Sequence, residues 1–483
     1  MAWFERLSSL DFAFLNLENR SAHMHVGGLA LFEGPSPHYD ELLRLVESRL
    51  ARVPRYRQRL AWVPFQQGRP VWVDEAQFDL EYHVRHTALP PPGSEAQLLK
   101  LTGRLMAQQL DRSKPLWEMW LIEGVGKEHG GFAIVTKTHH CMVDGISGMD
   151  IASVLMDGEA VPEAQPPSAP WTPRPAPSRL GLLRASVEQQ LTHPVKMALD
   201  LALKPGSDAR TLMAMLAGSV KPLLGLAQMG KAPGSSLNVP IGPHRRFCTA
   251  QLSLADIKRV RAAVGGTVND VLLTVVTGAL RGLLLARGEK VGPDLRVMVP
   301  VSVRGATARG SETLGNQVTP TFCALPVGEP DPRRQLERVR ESMKGLKESG
   351  QVMSAMALTR LSDFAPPTLL IQSARLQAVA TRFFNLVVTN VPGPQFPLYL
   401  LGRQMLACYP VVPLAALQTL SVGLLSYNGQ VGVGLLGDAD AAKDLPSLAE
   451  RMAQTLTELV ACAEGAASTP SPSGAVRAAS GNA

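Results

Sequence analysis

Aromatic residues are scarce. Phe, Trp and Tyr make up 5% of the 483 residues. That is too little for the stacking platforms that hold bases, so no nucleic-acid partner is expected. Charge is also thin, at 18%, below the roughly 25% of an average soluble domain. The chain is therefore apolar for its length, long for one core and comfortable for two domains. Cysteines number five (Cys141, Cys248, Cys323, Cys408, Cys462), with no Cys-x-x-Cys spacing. A disulfide framework and a cysteine-built zinc site are both disfavoured, and a reducing compartment fits. No Gly-x-x-x-x-Gly-Lys-Ser/Thr string occurs, so nothing points to a nucleoside triphosphate. Residues Met1–Arg6 have no basic stretch leading into an apolar one, and no secretory signal is expected.

The longest uncharged run, Gln404–Gly437, contains Pro410, Pro413 and Asn428-Gly429. Asn-Gly between Leu420–Ser426 and Gln430–Leu435 predicts a buried β-hairpin, not a membrane span. What charge there is leans basic: Lys and Arg number 48 against 41 Asp and Glu, a net +7. Between Arg174 and Lys231 there are eight Lys/Arg and three acids. This stretch supplies most of the excess and carries no Phe, Trp or Tyr after Trp171. Leu, Ala and Met at helical spacing beside Lys and Arg suit an anionic lipid surface, or a plain connector.

The chain divides into residues 1–156 and 236–463, each mixing strand and helix signals. Between them lie a Pro-rich linker, 157–178, with seven prolines, and a basic helical connector, 179–235. An Ala/Ser/Pro/Gly tail, 464–483, is expected to be disordered. Periodicity predicts helices at Glu41–Val53, Ala96–Leu110, Thr267–Ala286, Asp331–Ser349 and Ala439–Ala463. Strands are expected at Leu116–Ile122, Phe132–Thr138, Leu295–Val301 and Leu386–Thr389.

The string richest in chemistry is Thr138-His139-His140-Cys141-Met142-Val143-Asp144-Gly145, directly after a strand. Alternation sends His139 and His140 to opposite faces. Four readings compete. The pair can be structural. It can ligate a metal with Asp144, though adjacent strand histidines diverge. Cys141 can be a nucleophile, though its neighbour His140 faces away. Or one histidine is a general base, with Asp144 holding the loop and Gly145 allowing its turn. Asn269 and Asp270 read either as a helix start or, for Asn269, as a donor to a tetrahedral intermediate. Pro115-Leu116-Trp117 reads as strand entry and core ahead of substrate contact.

His-His-x-x-x-Asp-Gly after a strand resembles the signature of the superfamily holding chloramphenicol acetyltransferase, carnitine acyltransferases and peptide condensation domains. Further strings resemble one branch, the bacterial wax ester synthase/diacylglycerol acyltransferases. They are Ser9–Leu15, His23–Gly28, Pro54–Leu60, Pro115-Leu116-Trp117, Asn269-Asp270-Val271-Leu272, Pro300–Arg304 and Asn390-Val391-Pro392-Gly393-Pro394. This resemblance covers about residues 5–460. It implies an α/β fold of two chloramphenicol-acetyltransferase-like mixed-sheet halves with flanking helices and an active-site tunnel between them. It implies acyl transfer from acyl-CoA to a long-chain alcohol or diacylglycerol, within lipid and glycerol metabolism, with no metal and no cofactor beyond the acyl-CoA substrate. It assigns the base to His140, with no covalent acyl-enzyme. Asp144 then pairs with an arginine, Arg57 first, and Asn390–Pro394 closes a strand bridging the halves. Arg245-Arg246 is a candidate contact for the anionic CoA. A cytoplasmic location is expected, peripheral on the inner membrane face or lipid inclusions.

Overall fold

A computed structural model describes residues 4–126, 130–142, 154–161, 171–188, 192, 230–302, 318–348 and 382–467. Asp144, Gly145, the middle of the Pro-rich linker, most of the basic connector and the tail beyond 467 lie outside the described residues.

Fifteen strands are described, in three sheets. The first large sheet runs β12 (Tyr399–Leu400), β13 (Arg403–Val411), β2 (His25–Phe32), β7 (Gly131–His139), β6 (Trp117–Val125), β5 (Val84–Ala88). The second runs β10 (Val318–Leu325), β9 (Leu295–Ser302), β11 (Leu386–Pro392), β14 (Leu420–Tyr427), β15 (Gln430–Asp438), β8 (Arg245–Ser253). A small third sheet orders β1 (Glu5–Arg6), β4 (Val71–Asp74), β3 (Gln58–Ala61). Both large sheets are mixed: β5 runs parallel to β6, and β11 runs parallel to β9 and β14. Helices α1 (Ser9–Leu17), α2 (Tyr39–Arg49), α3 (Leu80–His83) and α4 (Glu95–Ala107) belong with the first sheet. Helices α5 (Leu254–Val264), α6 (Val268–Ala286), α7 (Pro332–Glu348) and α8 (Leu445–Ala467) pack with the second around one apolar core. The fold is α/β in two sheet-centred halves, as the sequence suggested.

The hairpin at 420–438 forms with Asn428 at φ 44° and Gly429 at φ 81°, the left-handed pair that a two-residue turn requires. Helix α8 starts six residues after Ala439 and runs four beyond Ala463, so residues 464–467 continue the helix where a disordered tail was expected. Helix α6 is long and apolar enough to cross a membrane, but most of it is buried in the second core.

Strand β13 departs from the expected division. It comes from the C-terminal half yet sits in the first sheet, antiparallel to β2, with Val411 opposite Gly27. The bridging strand is therefore β13; the strand closed by Asn390–Pro394, β11, stays in the second sheet. Close passage needs glycine. A Cβ on Gly434 would sit 1.8 Å from the Pro410 carbonyl oxygen, and one on Gly432 would sit 2.0 Å from that of Cys408. Without side chains there, β15 passes backbone to backbone against β13. Around this crossing one apolar cluster joins Leu105 and Met106 of α4, Tyr409 and Val411 of β13, and Phe247 and Leu436 of the second sheet.

Candidate active site

Strand β7 is buried at all nine positions. It ends at His139, whose N–H donates to the Leu116 carbonyl at 2.9 Å. The His140 N–H donates to the Met24 carbonyl at 2.8 Å, and a 3-10 turn begins there, His140–Met142. Strand alternation thus stops between the two histidines. The two rings reach α1 and its C-cap. His140 lies on Phe14, ring centroids 4.0 Å apart, and His139 faces Glu18 at 3.6 Å.

The His140 ring is half-buried, with Nδ1 sealed from solvent. Burial lowers its pKa to about 4, because an imidazolium loses hydration there. Its own backbone opposes the shift slightly, and neighbouring His139 adds to it. His140 is therefore a neutral imidazole near pH 7. The adjoining Cys141 thiol is pushed well above its ordinary value by burial, with Asp11 and Glu18 adding to the effect. A thiolate nucleophile has no support there.

Sequence reasoning overlooked Glu18. Its side chain is 1% exposed and ion-pairs with Arg112. His23 Nδ1 and His25 Nε2 approach one carboxylate oxygen at 3.6 and 3.5 Å, and His139 Nε2 approaches the other. Burial alone would raise the Glu18 pKa, but His139, His23 and His25 outweigh it and hold the carboxyl well below the usual range. The one available signal was His23-Met24-His25, two imidazoles spaced to share a face of extended backbone. Burial lowers His25 to about 4, so it too is neutral.

Arg57 is buried, its guanidinium 5.2 Å over Trp171 and its Nη2 3.5 Å from the Glu47 carbonyl. Its Nε has no partner among the described residues. Asp144, its expected partner, falls outside them. Asp270 closes a capping box: its N–H bonds Thr267 Oγ1 at 3.2 Å and its carboxylate accepts from the Thr267 N–H at 2.8 Å. Capping thus accounts for Asp270. Thr267→Ala should cost about 1 kcal/mol in a denaturant melt. Asn269 is freed from that duty and accepts from Asn390 Nδ2 at 3.3 Å, which joins two of the motif strings. Trp117 is fully buried, donates to the Tyr56 carbonyl at 2.8 Å and stacks on His83 at 4.7 Å, a core role.

Arg245 is not available to CoA. Its buried guanidinium bonds the Gly242, His244 and Ser21 carbonyls, tying β8 to the first half; Arg246 is exposed. Among the described residues no group of three His, Cys, Asp or Glu could hold a metal ion. An open hollow of about 510 Å³ lies between α2 and Leu401–Arg403, away from His140.

Comparison with known proteins places this arrangement. Residues 7–272 match the wax ester synthase/diacylglycerol acyltransferase catalytic domain, and residues 314–460 match the corresponding C-terminal domain. The probable diacylglycerol O-acyltransferase tgs1 of Mycobacterium tuberculosis is 36% identical over 465 residues, covering 94% of this chain and 96% of that protein. The probable diacylglycerol O-acyltransferase tgs2 of the same species is 33% identical over 472 residues, covering 93% and 97%. Among solved structures, the wax ester synthase/diacylglycerol acyltransferase of Marinobacter aquaeolei superposes with a TM-score of 0.66 at 28% identity, covering 95% of this chain and all of that one. The starter condensation domain of rhizomide synthetase, in complex with C8-CoA and Leu-SNAC, gives 0.57 at 14% identity, covering 95% and 94%, a likeness of fold alone. The catalytic-domain match alone spans more than half the chain, and the chain belongs to the wax ester synthase/diacylglycerol acyltransferase family, acyl-CoA-dependent O-acyltransferases.

Proposed function

We propose that His140 is the general base in transfer of a fatty acyl group from acyl-CoA to a long-chain alcohol or diacylglycerol. The observation that carries this is a neutral, half-buried imidazole at the mouth of β7, placed by a tight turn against Phe14. Such a ring accepts the acceptor's hydroxyl proton as its oxygen attacks the thioester carbonyl. The oxygen–carbon bond forms, the carbon–sulfur bond breaks, and the resulting imidazolium protonates the departing CoA thiolate. Both substrates are bound together, so no acyl-enzyme forms. Asn269 supplies a polar donor near the developing oxyanion. Release of free CoA across a panel of alcohols and diacylglycerols tests this reading. Turnover with neither acceptor class would defeat it.

The lipid acceptors suit action at a surface. The protein docks from the cytoplasmic side on the inner membrane or on lipid inclusions. One described patch supports this. Phe65 is 83% exposed and Trp62 46%, on the loop after β3. Phe65 and Gln66 hold positive φ, 57° and 55°, a costly conformation for an aromatic residue. Leu182 of the neighbouring segment packs on Val71 and Val73 of β4, leaving Leu180, Arg179 and Arg184 exposed. Aromatic and basic side chains together fit an anionic interface. Replacing both Trp62 and Phe65 with Ser should weaken co-sedimentation with anionic vesicles about threefold or more. Unchanged binding would locate docking elsewhere.

A further inference from the structure

The carboxylate of Glu18 is not part of the proton path proposed above, yet it organises the residues that carry His140. Two contacts run from it, to Arg112 and to His139, and the second continues into the turn. Arg112 fixes one side of the carboxylate and also donates to the Leu15 carbonyl at 2.8 Å, anchoring the end of α1. His139 Nε2 faces the carboxylate at 3.6 Å. His139 Nδ1 accepts the Cys141 N–H at 3.1 Å. An imidazole nitrogen that accepts carries no proton, so the His139 proton resides on Nε2 and points at Glu18. The Cys141 N–H belongs to the same 3-10 turn that starts with His140. On the other side, α1 presents Phe14 to the His140 ring one helical turn before Glu18.

We propose that Glu18 is a positioning residue for the acyl transfer: its carboxylate, facing the Nε2 side of His139, favours the tautomer and orientation in which Nδ1 accepts the Cys141 N–H, and this pins the turn that presents His140. This rests on the reading of His140 as the base. His23 and His25 crowd the other carboxylate oxygen at 3.5 to 3.6 Å. At these distances, as at the 3.6 Å of His139 Nε2, the imidazoles meet Glu18 electrostatically and not through hydrogen bonds; Arg112 holds the oxygen that His139 faces, and His23 and His25 lie at the other.

The test is a double-mutant cycle in kcat on the full chain, with CoA release as the assay. Glu18→Gln keeps the shape and loses the charge. His139→Asn keeps an oxygen that can accept the Cys141 N–H but cannot reach Glu18. Each single variant should lower kcat about tenfold, with the KM for acyl-CoA within about twofold. The double variant should be no worse than the poorer single one, because both cut the same chain. Glu18→Asp, which keeps the charge on a shorter arm, should recover part of the loss; it also serves if Glu18→Gln does not fold. Leu42→Ala, a cavity in the same core, provides a stability-matched control and should keep kcat near wild type. Effects that multiply in the double variant would overturn the proposal. So would a Glu18→Gln enzyme of normal kcat, or a loss matched by Leu42→Ala. His140→Ala is assayed alongside: if it is active, the base reading fails whatever Glu18 does.

Discussion

Replacing His140 with Ala is expected to leave a folded protein whose CoA release is slower by about 100-fold or more, the usual share of a positioned general base. The fold should persist because His140 is only half-buried and lies beside Phe14 at the end of β7. His139→Ala should cost less activity and more stability. His139 is 1% exposed, and its Nδ1 satisfies the Cys141 N–H. Acid should affect both properties. His140, His25 and His83 all have pKa values lowered to about 4 by burial. Each binds protons more weakly folded than unfolded, so the stability that this linkage contributes is full above about pH 6.5. It falls as pH drops toward 4. Activity should hold through neutrality and fail in that acid window, and a melt at each pH separates protonation of the base from unfolding.

Gly434→Ala should be the most destabilising single-methyl change in the crossing between the halves. The added carbon would sit 1.8 Å from the Pro410 carbonyl oxygen, a backbone atom that cannot rotate away. Either β13 moves off β15 or the sheets separate. Overpacking of this kind costs about 3 kcal/mol, the upper end of its usual range. That corresponds to a Tm lower by roughly 6–12 °C. Gly345→Ala is the matched control. Gly345 lies inside α7 with nothing within 4 Å of its would-be Cβ, so alanine should stabilise by about 1 kcal/mol. Equal melting shifts for the two variants would show that the crossing does not depend on close backbone approach.

Where local chemistry dictates structure, the sequence was legible. Asn428-Gly429 specified its hairpin because few other residues adopt two successive positive φ angles. Asn269-Asp270 marked the start of α6 to within a turn, and the cap itself is the reciprocal pair of Thr267 and Asp270. The motif strings announced the family, and with it the importance of His139 and His140. What stayed hidden was non-local. The pairing of β13 with β2 joins residues more than 370 apart, Met405 with Phe32, and leaves no periodic trace in either segment. Nothing in the sequence singles out Gly432 and Gly434, because the carbonyls they accommodate belong to another sheet. Glu18 drew no reading from the sequence. Its burial depends on Arg112, 94 residues away, and on three imidazoles delivered by two strands and a loop. Arg245 illustrates the reverse error. A basic pair suggested an anion site, but tertiary packing had already engaged its guanidinium with three carbonyls.

The most direct measurement is a rapid-quench experiment on enzyme at concentrations comparable to acyl-CoA, following CoA and ester together with and without acceptor. Direct transfer through His140 predicts no CoA burst when acceptor is omitted. With acceptor, CoA and ester should rise together in the wild type, and both should fall by about 100-fold in His140→Ala. A stoichiometric burst of CoA without acceptor, or near-normal ester formation by His140→Ala, would contradict it.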